Sequence, residues 1–484
     1  MKKTLNKFLK SPWSPICLIG LTIIFFSLRL IITYDSAHYL NYVAIFEGNA
    51  PVSSWDIVRG PVFPALIFIF DVLFGKTNTG ILVGTFIFYL IFSFICYKVC
   101  KEICQNLKHK KLTQNIILAI IILNPLIMGF FHVLLTEFVA ITLTMLNILL
   151  AYKWIYCDTH NKKHLILYSL YFIFSLVFGY HLKQPYIIIS IIPPVIASII
   201  SLCKKHSVKN IAYRLGTIIL AIIFLFISIV SWNKILEAKG IDMDTGRDSA
   251  SLFSRQILEA YQISYDQNND GKTDQISTLE ALGILSNEFF SNPLHIITIY
   301  ISNYCGLSSV CVIETENGVG YTSTLSFSGF DIYENGIIGY RAYKDQPNIF
   351  DMPEKLYHQA SIYGDTSDRS LIAHTMNIFQ APTNILFKVS TILCLPFIVL
   401  LIIIKIKYKN KKFIPLFYLN IILLTTSFLH LALSAGIGLI IDRYAIEIFI
   451  PSTLGIIGTI IYTQNVLVTE SIKHKKTIKR LNHD

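Results

Sequence analysis

Charge is what this chain has least of. Asp, Glu, Lys and Arg together make up 15% of its 484 residues, and none of them falls between Ser11 and Leu28. Soluble domains carry about a quarter charged residues, so a soluble globular class is excluded at the outset. Acidic residues are scarcer than basic ones, 30 against 41, and 19 of those 30 lie between residues 233 and 384. There is no internal repeat and no low-complexity tract, which excludes solenoid and disordered architectures. Of the nine cysteines, Cys96, Cys100 and Cys104 share a helical face without flanking His or Asp, as packing residues do. Cys305 and Cys311 fall in the long hydrophilic segment, where a local disulfide stays open. No small-residue cleavage site follows the first apolar run, so the N-terminus is expected to remain as a membrane segment.

What is present is apolar: 53% hydrophobic and 13% aromatic residues, with a mean hydropathy of +0.56. The pattern predicts an all-α polytopic membrane protein with about ten transmembrane helices. They are expected at 12–33, 78–97, 114–131, 134–153, 165–180, 186–203, 215–232, 385–404, 414–433 and 444–466. Lys and Arg cluster in 2–10, 98–111, 153–163, 204–214, 405–412 and 473–480, which together hold 26 of the 41 basic residues. The positive-inside bias places all six in the cytoplasm, with both termini inside a cytoplasmic (inner) membrane. The net charge of +11 then reflects topology and contact with anionic lipid, not a nucleic-acid surface.

Two short segments read as outer-face juxtamembrane helices. Tyr34–Gly48 puts Asp35, His38, Tyr39 and Tyr42 on one helical face, and Pro61–Gly75 is apolar but too short to span. Three regions result: a membrane core, 1–232, whose first outer loop is 34–77; an extracytoplasmic cap, 233–384; and membrane helices with a basic cytoplasmic tail, 385–484. The cap reads as mixed or α/β, with helices near Ser251–Gln262 and Ser277–Phe290 and a Gly/Tyr/Ser-rich middle at Gly318–Tyr343. Within it Asp266, Asn268, Asp270 and Asp274, with Gly271, follow the spacing of a calcium loop. Ser277 stands where the bidentate Glu belongs, so a site there would be weak. A plain polar turn fits the same residues.

Several short motifs stand in order along the outer face. They are Tyr34-Asp35-Ser36-Ala37-His38-Tyr39, then Trp55 and Arg59-Gly60-Pro61-Val62-Phe63-Pro64, Leu135-Thr136-Glu137, Lys183-Gln184-Pro185 and Asp442-Arg443-Tyr444. In this order the chain resembles the GT-C membrane glycosyltransferases, in the branch of the protein O-mannosyltransferases and the aminoarabinose lipid A transferase. The resemblance covers spans one to seven and the last; the cap is only loosely similar. It implies transfer of a sugar from a polyprenyl-phosphate carrier to a glycan, lipid or protein acceptor at the outer face. In such a reaction Asp35 would serve as base, Arg59, Lys183 and Arg443 would meet the lipid phosphate, and Glu137 would orient sugar or acceptor, with His38 and Tyr39 beside them.

The chain departs from that pattern twice. Relatives often carry two adjacent acids where this chain has Asp35-Ser36, and a Lys-Pro-Pro turn where it has Arg59-Gly60-Pro61. The first departure weakens the case for a divalent cation, which the sequence does not require. Blander roles stand beside each assignment. Asp35 would N-cap a helix equally well, Glu137 would pair with Arg29 or Lys183, Arg59 and Arg443 would snorkel, and His38 and Tyr39 would anchor at the interface. An envelope polysaccharide polymerase or ligase, or a lipid-linked sugar flippase, are the alternative functions. A flippase would be expected to show repeats and midplane charges.

The topology has a direct test. In intact cells a membrane-impermeant maleimide should label cysteines engineered into 265–275 and spare those in 98–111; the reverse pattern would remove the outer-face site.

Overall fold

The computed structural model describes residues 13–28, 30, 34–52, 55, 59–157, 162–204, 208–241, 278–307, 389–408, 412–436 and 446–481, with isolated positions between them. Fifteen α-helices order these residues. They are α1 (Trp13–Phe26), α2 (Tyr34–Phe46), α3 (Val62–Phe74), α4 (Asn78–Cys104) and α5 (Lys110–Ile122). Next come α6 (Pro125–His132), α7 (Glu137–Trp154), α8 (Lys162–Leu182), α9 (Ile187–Cys203) and α10 (Val208–Ala238). The remainder are α11 (Thr278–Ser291), α12 (Pro293–Leu307), α13 (Cys394–Tyr408), α14 (Ile414–Gly436) and α15 (Ile446–Leu481). The protein is an all-α, multi-pass membrane protein.

Each of the ten expected spans is occupied by helix. Among the described residues seven helices are long and apolar enough to cross a bilayer, or eight if the bent pair α5–α6 counts as one span. That pair was expected as a single span, 114–131; it is bent by 48°. The cause is local: Asn124 caps α6 by accepting from the Ile127 amide at 3.1 Å, and Pro125 has no N–H with which to continue α5. Helices α1 and α13 are shorter than a span, with 14 and 15 residues. The two expected juxtamembrane helices are present as α2 and α3. The described part of the cap is helical, and its α11 matches the expected helix over Ser277–Phe290. Gly318–Tyr343, the Asp266–Asp274 loop, Cys311 and Arg443 lie outside the described residues, as do the side chains of Asp35 and Cys305.

The hub is α7. It packs against α4, α6, α8, α9, α14 and α15, and 83% of it is buried, against 17% of α10, which runs along the periphery. Both of its ends are fastened. At the C-terminal end the fully buried Arg214 donates through Nη2 to the carbonyls of Trp154 (2.6 Å) and Cys157 (2.7 Å) and lies over the Trp154 ring. A cation there satisfies helix-end carbonyls and opposes the negative end of the helix dipole. In the middle, Asn147 donates to the Ile189 carbonyl of α9 and accepts from Tyr171 and Ser175 of α8. In hydrocarbon such an amide must be satisfied by protein, so this network fixes the rotation of α7 against α8 and α9. The N-terminal end of α7 opens with Glu137.

Candidate functional site

The site grows from four connections on the side of the bundle where α7 begins. First, the chain before α3 is held on the aromatic face of α2. Trp55 stacks on Tyr42 with ring centroids 4.6 Å apart and donates from Nε1 to the Arg59 carbonyl at 3.0 Å. The Arg59 guanidinium carbon then lies 5.1 Å from the centre of the Tyr39 ring, a cation–π geometry. Tyr39 is itself buried edge-on against Phe63, and Phe63 against Phe138 of α7.

Second, Gly60 lies directly on the last turn of α8. A Cβ at Gly60 would sit 1.9 Å from the His181 carbonyl oxygen. Any side chain, a proline ring included, would force this contact apart. The departure at Arg59-Gly60-Pro61 therefore has a physical reason: a Lys-Pro-Pro turn does not fit this approach. Gly60 also brings the Arg59 segment against the His181–Lys183 turn, so two of the expected phosphate ligands stand on abutting backbone.

Third, Lys183 and Glu137 pair, with Nζ 3.5 Å from Oε1 and the Glu137 side chain almost wholly buried. Thr136, at the N-cap of α7, makes no capping bond. Its hydroxyl instead reaches Glu137 Oε2 at 3.3 Å and Tyr186 Oη at 3.0 Å. The Lys183 ammonium also lies 5.9 Å from the Tyr186 ring centre.

Fourth, Ser36 is fully buried and donates to the Leu134 carbonyl at 2.7 Å, tying the first turn of α2 to the segment that leads into α7. A second acid at this position would set a carboxylate against a carbonyl oxygen, which accounts for Asp35-Ser36 in place of two acids. Asp35 immediately precedes this anchor. His38 is half-buried on the same helix.

One residue was missed by sequence reasoning. Glu447, in the first turn of α15, is fully buried; its Oε2 lies 3.9 Å from His430 Nε2, and it is within electrostatic reach of Glu137 and Lys183. The signal was present, because no other charged residue occurs between Arg443 and Glu470. An isolated carboxylate in an apolar run marks a functional position by default. Attention to Asp442-Arg443-Tyr444 stopped just short of it. Among the described residues no group of three or more His, Cys, Asp or Glu is placed to hold a metal ion.

Two cavities adjoin this constellation. A small pocket is lined by Gly60, Tyr180, His181, Gln184, Trp232 and Asn233, next in sequence to both Arg59 and Lys183. It shares His181 and Trp232 with a larger, mainly apolar cleft between α8 and α10, past Pro61, Val62, Phe178 and Ile235. The two cavities are thus neighbours across the His181 and Trp232 side chains.

The ion pair has its own test. Lys183→Met would leave Glu137 buried without its described cation and should cost about 3–5 kcal/mol, read as a lower melting temperature in detergent. Adding Glu137→Gln should restore most of the loss. A single mutant as stable as the parent would mean that the pair contributes nothing to the fold.

No family model, no curated protein and no solved structure matches this chain.

Proposed function

We propose that this protein is a glycosyltransferase that moves a sugar from a polyprenyl-phosphate carrier to an acceptor hydroxyl at the outer face of a cell membrane. The observation that carries the reading is the adjacency of the small pocket next to Arg59 and Lys183 and the apolar α8–α10 cleft, which share His181 and Trp232. A polyprenyl phosphate has the same two-part chemistry. Its chain must stay in hydrocarbon while its anionic head needs cations, and a guanidinium held on an aromatic face with an ammonium across a glycine contact offers them.

The reaction runs in one displacement. The acceptor oxygen attacks the anomeric carbon as the bond from that carbon to the phosphate oxygen breaks, and Asp35 takes the acceptor proton. The departing polyprenyl phosphate keeps the bonding electron pair, and its charge is stabilised by Arg59, Lys183 and Arg443. No covalent enzyme intermediate forms, so the anomeric configuration inverts. Glu137, held by Lys183 and Thr136, accepts hydrogen bonds from hydroxyls of the sugar or acceptor. A single acid at 35, with Ser36 committed to the Leu134 carbonyl, makes a divalent cation unnecessary to this scheme. Of the alternatives, a flippase shares the membrane architecture but gives Asp35 no role as a base, and a polymerase or ligase would not be expected to carry its basic site residues in the first outer loop.

Asp35→Asn keeps size and capping ability while losing the carboxylate. It should fold and bind carrier, and transfer should fall about 100- to 10,000-fold, the range of a general base; loss of a cap alone would show as only about 1 kcal/mol of stability. Arg59→Ala should weaken carrier binding together with turnover. Undiminished transfer by Asp35→Asn, assayed with a polyprenyl-phosphate sugar, would reduce Asp35 to a helix cap.

A further inference from the structure

The segment between α10 and α13 reads from composition as a water-exposed cap, yet one of its helices has the surface of a membrane segment. From Pro293 to Leu307, α12 has no Asp, Glu, Lys or Arg. One face is committed to protein: Ile296, Ile299 and Asn303 are buried, and the Tyr300 hydroxyl donates to the Ala432 carbonyl of α14 at 3.1 Å. Tyr304 meets Phe428 one turn further back along α14, with ring centroids 6.2 Å apart. Since 300 meets 432 and 304 meets 428, the two helices run antiparallel, and α12 descends along a spanning helix from its Gly436 end. Phe428 lies two turns before Gly436, a depth of about 12 Å at about 1.5 Å per residue.

Among the described residues the opposite face is mainly apolar and uncovered. Leu294 is 76% exposed and Ile301 55%, and Ile297 lies between them. At the bend from α11 into α12, Phe290 is 79% exposed and Phe289 is exposed beside it. These values match Phe226 on the lipid side of α10, which is 67% exposed. Uncovered apolar surface of this kind marks contact with another apolar phase. Here the neighbouring surface already is one: Leu433 of α14, beside the α12 contact, is likewise exposed.

We propose that the outward face of α12 is embedded in the lipid leaflet at which α14 ends, as a re-entrant helix and not as part of a water-exposed cap. The partner is the acyl region of that leaflet. A helix satisfies its own backbone hydrogen bonds, so the insertion leaves no polar main chain in hydrocarbon. The inference rests on the membrane fold alone and does not depend on the proposed chemistry.

The test uses the unaltered full-length protein in phosphatidylcholine nanodiscs that contain a phospholipid with a mid-chain diazirine. After photolysis, adducts are mapped by mass spectrometry. Residues 294–301 should be labelled within about threefold of residues 219–227 on α10, because both faces would lie in hydrocarbon. Labelling of 219–227 with none in 294–301 would overturn the proposal, whatever else covers that face.

Discussion

The buried contact between Lys183 and Glu137 is the interaction on which the geometry of the site depends. Removing two charges from water is expensive, and this pair sits at the first turn of the most buried spanning helix. Everything around it serves to place it. Arg214 fixes the far end of α7, and Asn147 fixes its rotation against α8 and α9. Thr136 gives up its capping bond to hold Glu137 and Tyr186. A glutamate so confined has little freedom to swing, which is what a residue that orients a substrate requires.

The same contact organises what lies beside it. Lys183 ends the α8 turn onto which Gly60 is pressed, so the Arg59 segment and the first turn of α2 are positioned relative to α7 through backbone, not through long side chains. The apolar cleft begins at Pro61 and Val62, where that segment becomes α3. Above α14, Tyr261 and Tyr300 donate to the carbonyls of Gly436 and Ala432. The second hydrophilic segment is therefore docked on the helix that carries His430, close to Glu447. Cations, carboxylates and cleft share one end of the bundle as a consequence of how α7 is held.

Much of the architecture was legible because bilayer thickness forces a length on apolar runs, and each of the ten expected runs carries helix. The break at Asn124-Pro125 was legible in principle, since a capping residue followed by proline ends one helix and starts another. Placement of Arg59, Glu137 and Lys183 on one side followed from the alternation of basic clusters. Other features could not be read from the sequence. The requirement for glycine at 60 depends on a carbonyl of residue 181, and the burial of Ser36 on a carbonyl of residue 134, both long-range contacts without local trace. The exposed apolar face of α12 leaves no trace in the sequence because its inward face is also apolar, with Ile296, Ile299 and Tyr300, so no periodic contrast separates the two sides. Glu447 was legible and overlooked.

The central claim is that the pocket at Gly60 and Gln184 and the cleft beyond it hold a lipid-linked phosphate. Native mass spectrometry of the purified full-length protein, titrated with a long-chain polyprenyl phosphate, tests it most directly. One retained carrier per chain is expected, with occupancy lost in Ser231→Trp, which fills the cleft at a residue other than Arg59, Lys183 or Glu137. Equal occupancy in the parent and in Ser231→Trp, or no retention by either, would contradict it.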